Sequence, residues 1–278
     1  MAGAYDNPLA AQQVMTGEGA YSSSMGHASV TSTNIWSAAN NPAGLALLET
    51  PAAGIYAEQP FAVEGIQMGG LSAAAPIQDI GVLGLSGRIL GFRQTYSQQR
   101  WGLVAARPFG PKVAAGLAVH WTRLNILGYG QTNLLHAQMG LQYQLLPQLR
   151  VGAEFSNPRA QAFTETEDER MPSALQAGFA YTFSEQLLFA AEASKVTDQE
   201  LRLQAGLQYQ IKPELALRGG LQTRPFSGHF GMQIKLSNVR IQFALGYHEV
   251  LRTTPVLGVD YYQGQAQGQP QATTTSSQ

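Results

Sequence analysis

The 278-residue chain has no cysteine, which excludes disulfides and thiolate metal sites. Charge is scarce too: Asp, Glu, Lys and Arg make up 13% of residues, against about 25% in an ordinary soluble domain. The 17 basic and 18 acidic side chains nearly cancel, so no basic patch points to a nucleic-acid partner. No apolar run approaches the roughly 18 residues that a spanning helix needs. No Gly-x-Ser-x-Gly elbow appears, and Gly17-x-Gly19 lacks the strand and helix of a dinucleotide fingerprint. The reading is therefore of a non-enzyme with no cofactor and no metal. A chain short of charge and without apolar helices still has one way into a bilayer. It closes a sheet, so that every backbone amide is paired and no edge meets lipid.

What is present is alternation. In residues 201–210, Leu201, Leu203, Ala205, Leu207 and Tyr209 fall on one face, and Arg202, Gln204, Gly206, Gln208 and Gln210 on the other. A helix would mix these sets, whereas a strand separates them. Leu135, Ala137, Met139, Leu141 and Tyr143 likewise oppose His136, Gln138, Gly140 and Gln142. Val239, Ile241, Phe243, Leu245 and Tyr247 oppose Arg240, Gln242, Ala244, Gly246 and His248. The rhythm predicts strands near 52–58, 65–75, 80–92, 100–109, 113–124, 133–145, 149–156, 173–184, 187–196, 201–211, 215–223, 229–237, 239–250 and 255–262. That is about fourteen, an even number as single-chain bacterial barrels have.

Connections alternate in length. Those at 110–112, 147–148, 184–186, 212–214 and 237–238 are tight, while those at 94–99, 125–131, 157–172 and 248–254 are longer. Short turns on one rim and longer loops on the other is the outer-membrane pattern, and it puts both termini in the periplasm. A soluble β-sandwich alternates as well, but the aromatics favour a barrel. Trp101, Trp121, Phe155, Phe230 and Tyr247 fall toward one rim on the apolar parity. Phe109, Tyr143, Tyr181, Phe183, Tyr209 and Tyr261 fall toward the other. Two aromatic girdles suit the two membrane interfaces. The predicted fold is an all-β, transmembrane antiparallel β-barrel of about fourteen strands with an N-terminal luminal plug. Residues 1–50 form the plug and 51–262 the barrel. Residues 263–278 form a Gly/Gln/Thr/Ser tail, read as disordered and periplasmic. No leader is visible at the start, so export implies a signal peptide already removed.

The plug reading rests on a motif. A small-residue stretch containing Met25-Gly26 is followed by Asn40-Asn41-Pro42-Ala43-Gly44-Leu45 just before the first strand. Asn41 before Pro42 disfavours the helical region and favours a turn. The arrangement resembles the start of the FadL-like superfamily of outer-membrane proteins, which includes the PorV-type proteins of Bacteroidota. The resemblance implies a fourteen-stranded barrel with this region folded into the lumen as a hatch. Gly81, Gly84 and Gly87 could let the third strand bend, as it does in the family's transporters.

The polar parity places His120, His136, Arg150, Glu154, Glu192, Arg202, Arg218, His229, Lys235 and Arg240 in the lumen. These form either a polar path or docking surface, or a network that fills a small barrel. The acidic run 165–170 sits in the longest loop and reads as solvated. Two functions follow. The first is a PorV-like accessory subunit of a larger outer-membrane secretion or assembly complex. The alternative is a FadL-like passive channel for small hydrophobic compounds. Expected partners are outer-membrane lipid and lipopolysaccharide, a larger outer-membrane protein and, for the alternative, a hydrophobic small molecule.

Overall fold

A computed structural model describes residues 17–93, 95–128, 130–158 and 172–264. The acidic run 165–170, most of the tail and the first sixteen positions lie outside the described residues. The strands are β1 (Ala52–Glu58), β2 (Ile66–Ile77), β3 (Gly81–Phe92), β4 (Tyr96–Phe109), β5 (Val113–Ile126), β6 (Gly130–Leu146) and β7 (Leu149–Ser156). They continue as β8 (Ala174–Thr182), β9 (Leu187–Val196), β10 (Arg202–Lys212), β11 (Leu215–Gln222), β12 (Ser227–Leu236), β13 (Val239–His248) and β14 (Arg252–Tyr262). Each pairs antiparallel with its neighbour, and β1 closes the ring against β14. Closure leaves no unpaired edge, which a sheet in hydrocarbon requires.

One rim carries Ala52, Tyr262 and the tight turns at 110–112, 147–148, 213–214 and 237–238. The opposite rim carries the long connections at 59–65 and 157–173. Two expected loops on that rim are strand instead. Residues 96–99 belong to β4, and 125–126 and 130–131 to β5 and β6, leaving only 93–95 and 127–129 as connections. The alternation fails there because Gln98, Gln99, Gln131 and Asn133 make both faces polar, yet the ladder keeps pairing. β3 carries no bulge: it pairs in unbroken register with β2 and β4, and the bare face of Gly87 is covered by the Trp101 ring.

The outer wall is apolar and exposed. Leu103 is 74% exposed, Ile55 63%, and Leu117, Leu135, Leu203 and Leu257 are exposed as well. Water does not tolerate an apolar belt of this extent on a monomeric protein. Trp101 stands opposite Trp121 on this face toward one rim, and Tyr261 and Phe183 lie toward the other. The inward parity is buried and mixed: Ala106, Ala114, Ala118 and Ala244 alternate with Arg88, His120, Glu192 and Asp260.

Residues 17–48 lie within the ring of strands. They form a short helix α1 (Gly19–Ser24), a helical turn α2 (Ser37–Asn40) and a 3-10 stretch at Pro42–Leu47. The pieces are short for local reasons. Gly26 at φ 63 ends the first coil. Asn41 is extended before Pro42, and its side-chain oxygen accepts from Ala43 N at 3.1 Å. Ile35, Trp36 and Leu45 are fully buried in one cluster with Tyr56, Val82, Val104 and Ala118. Met25 packs with Leu188 and Ala190 on the other side of the barrel. Each such side chain contributes about 1.5–3 kcal/mol by leaving water.

Candidate functional site

The lumen brings together the features that distinguish this molecule from a bare barrel. Three buried carboxylates tie residues 17–48 to the wall. Glu18 lies between two arginines on neighbouring strands, 3.6 Å from Arg88 and in direct contact with Arg100. On β9, Glu192 accepts the backbone N–H of Ser29 at 2.9 Å and of Val30 at 2.8 Å. Asp260 on β14 accepts the Trp36 indole N–H at 2.9 Å, and the Gln242 amide donates to its second oxygen. These charge-assisted bonds run to three separate arcs of the ring, so the segment is held from several sides.

Amides complete the attachment. Gln142 donates to the carbonyls of Val30 at 3.0 Å and Ser32 at 2.9 Å. Gln138 donates to the Ala39 carbonyl at 3.2 Å. Asn40 clasps Glu18 at both its N–H, 2.6 Å, and its carbonyl, 3.1 Å. Asn41 donates to the Val30 carbonyl at 2.6 Å and reaches Ala153 on β7 at 3.3 Å.

Backbone also meets backbone at two glycine pairs. Gly116 and Gly140 are cross-strand partners on β5 and β6. A Cβ on Gly116 would overlap Pro42 and Ala43, and one on Gly140 would overlap Asn41. Gly206 and Gly220 are partners on β10 and β11, under Met25 and Gly26, where a Cβ on Gly206 would lie 2.6 Å from the Met25 carbonyl oxygen. The second motif glycine, Gly44, packs against Ser32 and Ser37 within the segment itself, and Leu45 is fully buried.

Of the residues the sequence placed in the lumen, His120 and His136 are cross-strand partners with rings stacked at 5.1 Å. Reasoning from spacing within one strand could not bring them together. His120 Nε2 pairs with Gln138 Oε1 at 2.8 Å. Glu154 is buried beside Ser156, which donates to it. Arg218 is spread over Gln208, Gln242 and Gln233 and lies over the Tyr21 ring at 4.6 Å. Arg202 donates to the Arg224 carbonyl at 3.2 Å, and Arg150 to Gln144 at 3.0 Å. His229 meets Ser227 at 2.9 Å, and its ring meets that of His27 at 5.0 Å. Lys235 and Arg240 face each other across β12 and β13 near the rim that carries Ala52 and Tyr262, apart from the rest. His248 is a rim residue whose ring nitrogen accepts from Val250 and Leu251 N–H.

Four residues that hold the segment were not singled out from the sequence: Glu18, Arg88, Arg100 and Asp260. Parity could have found the wall residues. Trp101 and Tyr261 point outward, so Arg100 and Asp260 beside them point inward. Glu18 carried no local signal. Between the segment and the wall lies a cavity of about 20 Å³, lined by Asn40, Arg100, His120, His136, Gln138 and Glu154. It has room for roughly one water molecule. The described lumen thus offers the segment polar contacts on several sides.

No protein-family model matches the sequence, and no curated protein is similar to it. Solved structures do match in fold. The toluene transporter TbuX of Ralstonia pickettii superposes with a TM-score of 0.66 at 16% identity, covering 91% of this chain and 99% of its own. The monoaromatic hydrocarbon channel CymD gives 0.66 at 16% identity, covering 90% and 98%. A FadL homologue from Pseudomonas aeruginosa gives 0.62 at 10% identity, covering 85% and 96%. The chain therefore has the fold of FadL-type outer-membrane barrels.

Proposed function

We propose that this chain is an outer-membrane channel for small hydrophobic compounds, closed at rest by residues 17–48. The observation that carries the reading is a FadL-type barrel whose lumen is occupied by its own N-terminal segment. The exposed apolar wall supports placement in a membrane. The neighbours described as a toluene transporter and a monoaromatic hydrocarbon channel support the substrate class. They favour this reading over an accessory subunit of a secretion complex, for which the lumen and the neighbours offer no support. In this reading passage requires residues 17–48 to move, since their bonds to β3, β9 and β14 hold them across the lumen. In this reading the rim that carries Ala52 and Tyr262 faces the periplasm.

The test is uptake of ring-labelled toluene by cells that carry the chain in their outer membrane. Uptake several-fold faster than in vector-only cells is expected. Equal uptake, with the folded barrel present in the outer membrane, would contradict the proposal.

A further inference from the structure

The inner wall is hollowed to seat one aromatic ring. Trp36 is fully buried. Gly54 on β1 is bare beneath the benzene part of its indole, where a Cβ would lie 2.9 Å from Trp36 Cζ2. Tyr56, two positions along β1, meets the indole edge to face at 5.0 Å. Asp260 on β14, the cross-strand partner of Gly54, accepts the indole N–H at 2.9 Å. The accepting oxygen, Oδ1, reaches over the same glycine, 2.8 Å from where its Cβ would stand. Floor, side and acceptor are thus fixed by register on two adjacent strands.

The seat belongs to the wall. Tyr56 is held by β2, where Gly70 is bare beneath its ring and a Cβ would overlap Cε1. Asp260 is held by the Gln242 amide on β13, which donates to Oδ2. The segment adds Gly19, against the pyrrole part of the ring. When residues 17–48 move, Trp36 and Gly19 leave together, and a ring-sized slot with an unpaired carboxylate oxygen stays behind. A buried acceptor deprived of its donor is costly. Beside the slot, Tyr56 Oη and Ser72 Oγ are buried with no hydrogen-bond partner among the described residues, which is rare for buried polar groups. Ser72 is the other cross-strand partner of Gly54, so the wall here carries more polar capacity than Trp36 uses.

We infer that this slot binds one small aromatic ring carrying an N–H or O–H donor, the chemistry of an indole or a phenol, and that Trp36 fills it while the barrel is closed. The ring lies over Gly54 against Tyr56, and its donor bonds Asp260 Oδ1, so ligand and Trp36 exclude one another. A plain hydrocarbon ring fits the same space but leaves the carboxylate unpaired, and a site built to receive a donor rejects the analogue that lacks one. The inference deepens the channel reading above and rests on residues 17–48 leaving the wall, but the binding is measured without transport.

The experiment compares indole with indene, the hydrocarbon of the same shape, on the detergent-solubilised barrel. In Trp36→Ala, which vacates the slot, calorimetry should find one indole per barrel, bound about tenfold more tightly than indene, equivalent to 1.4 kcal/mol. Adding Asp260→Leu should abolish the difference. In the parent, indole should speed hydrogen exchange at Ile35, whose amide donates to Tyr262 Oη, and at Trp36 several-fold more than indene does. This second measurement stands even where Trp36→Ala does not fold. Indene bound as tightly as indole in folded Trp36→Ala, or no indole bound there, would overturn the slot. So would unchanged exchange in the parent at saturating indole, which would make Trp36 a fixed anchor. Indole bound as expected by a barrel that takes up neither labelled indole nor labelled toluene in cells would keep the slot and overturn the channel.

Discussion

At the scale of residues, the lumen depends on carboxylates whose partners are fixed. Glu192 is buried and receives two backbone N–H groups from Ser29 and Val30. Hydrogen bonds to a charged group contribute about 1.5–3 kcal/mol each. In Glu192→Ala, the Ser29 and Val30 amides should therefore exchange with solvent at least about tenfold faster than in the parent, since about 1.4 kcal/mol corresponds to a factor of ten. Amides of β9 itself should be unaffected, and hydrogen-exchange mass spectrometry resolves the two. Unchanged exchange at Ser29 and Val30 would mean that the carboxylate does not hold the segment. Most of these wall residues were legible from the sequence, because an inward position is fixed by an outward neighbour. Glu192 and Arg218 fell on the polar parity directly. Arg88, Arg100 and Asp260 obey the same rule but stand beside residues that drew attention for other reasons. Glu18 was illegible, since nothing local marks a carboxylate whose two partners lie 70 and 82 positions away.

At the scale of elements, alternation located all fourteen strands, and it erred where its physical cause stops. The period-two pattern records a wall with lipid outside and a packed lumen inside. Beyond the apolar belt both faces are polar, so the starts of β4, β6 and β14 lose the pattern while their ladders continue. The tight turns were legible from Gly, Pro and Asn. The course of residues 17–48 was legible only through the small-residue stretch and the Asn-Asn-Pro motif, and the glycine pairs that receive it required the cross-strand register. Leu103 is the outward residue of mid-β4 and 74% exposed. Leu103→Arg should destabilise the barrel in lipid vesicles by about 2–4 kcal/mol, the cost of an arginine on the lipid face near midplane. Denaturant titration in vesicles checks this. A barrel indifferent to the change would not be one whose β4 faces hydrocarbon.

At the scale of the whole molecule, two bodies are coupled, a closed ring and the segment inside it. The ring alone does not distinguish a channel from a structural barrel. The segment does, if its displacement opens a route. Because the chain has no cysteine, a single engineered disulfide can fix the two together. A Cβ on Gly258 of β14 would lie 3.3 Å from the Cβ of Ala20 in α1, close to the roughly 3.5–4.5 Å spacing of a disulfide. The decisive measurement is labelled-toluene uptake by cells carrying the Ala20→Cys, Gly258→Cys variant, before and after reduction. The account predicts slow uptake with the disulfide closed, restored to the parent rate by reductant. Equal uptake in the oxidised and reduced states would contradict it, since compounds would then pass without the segment moving.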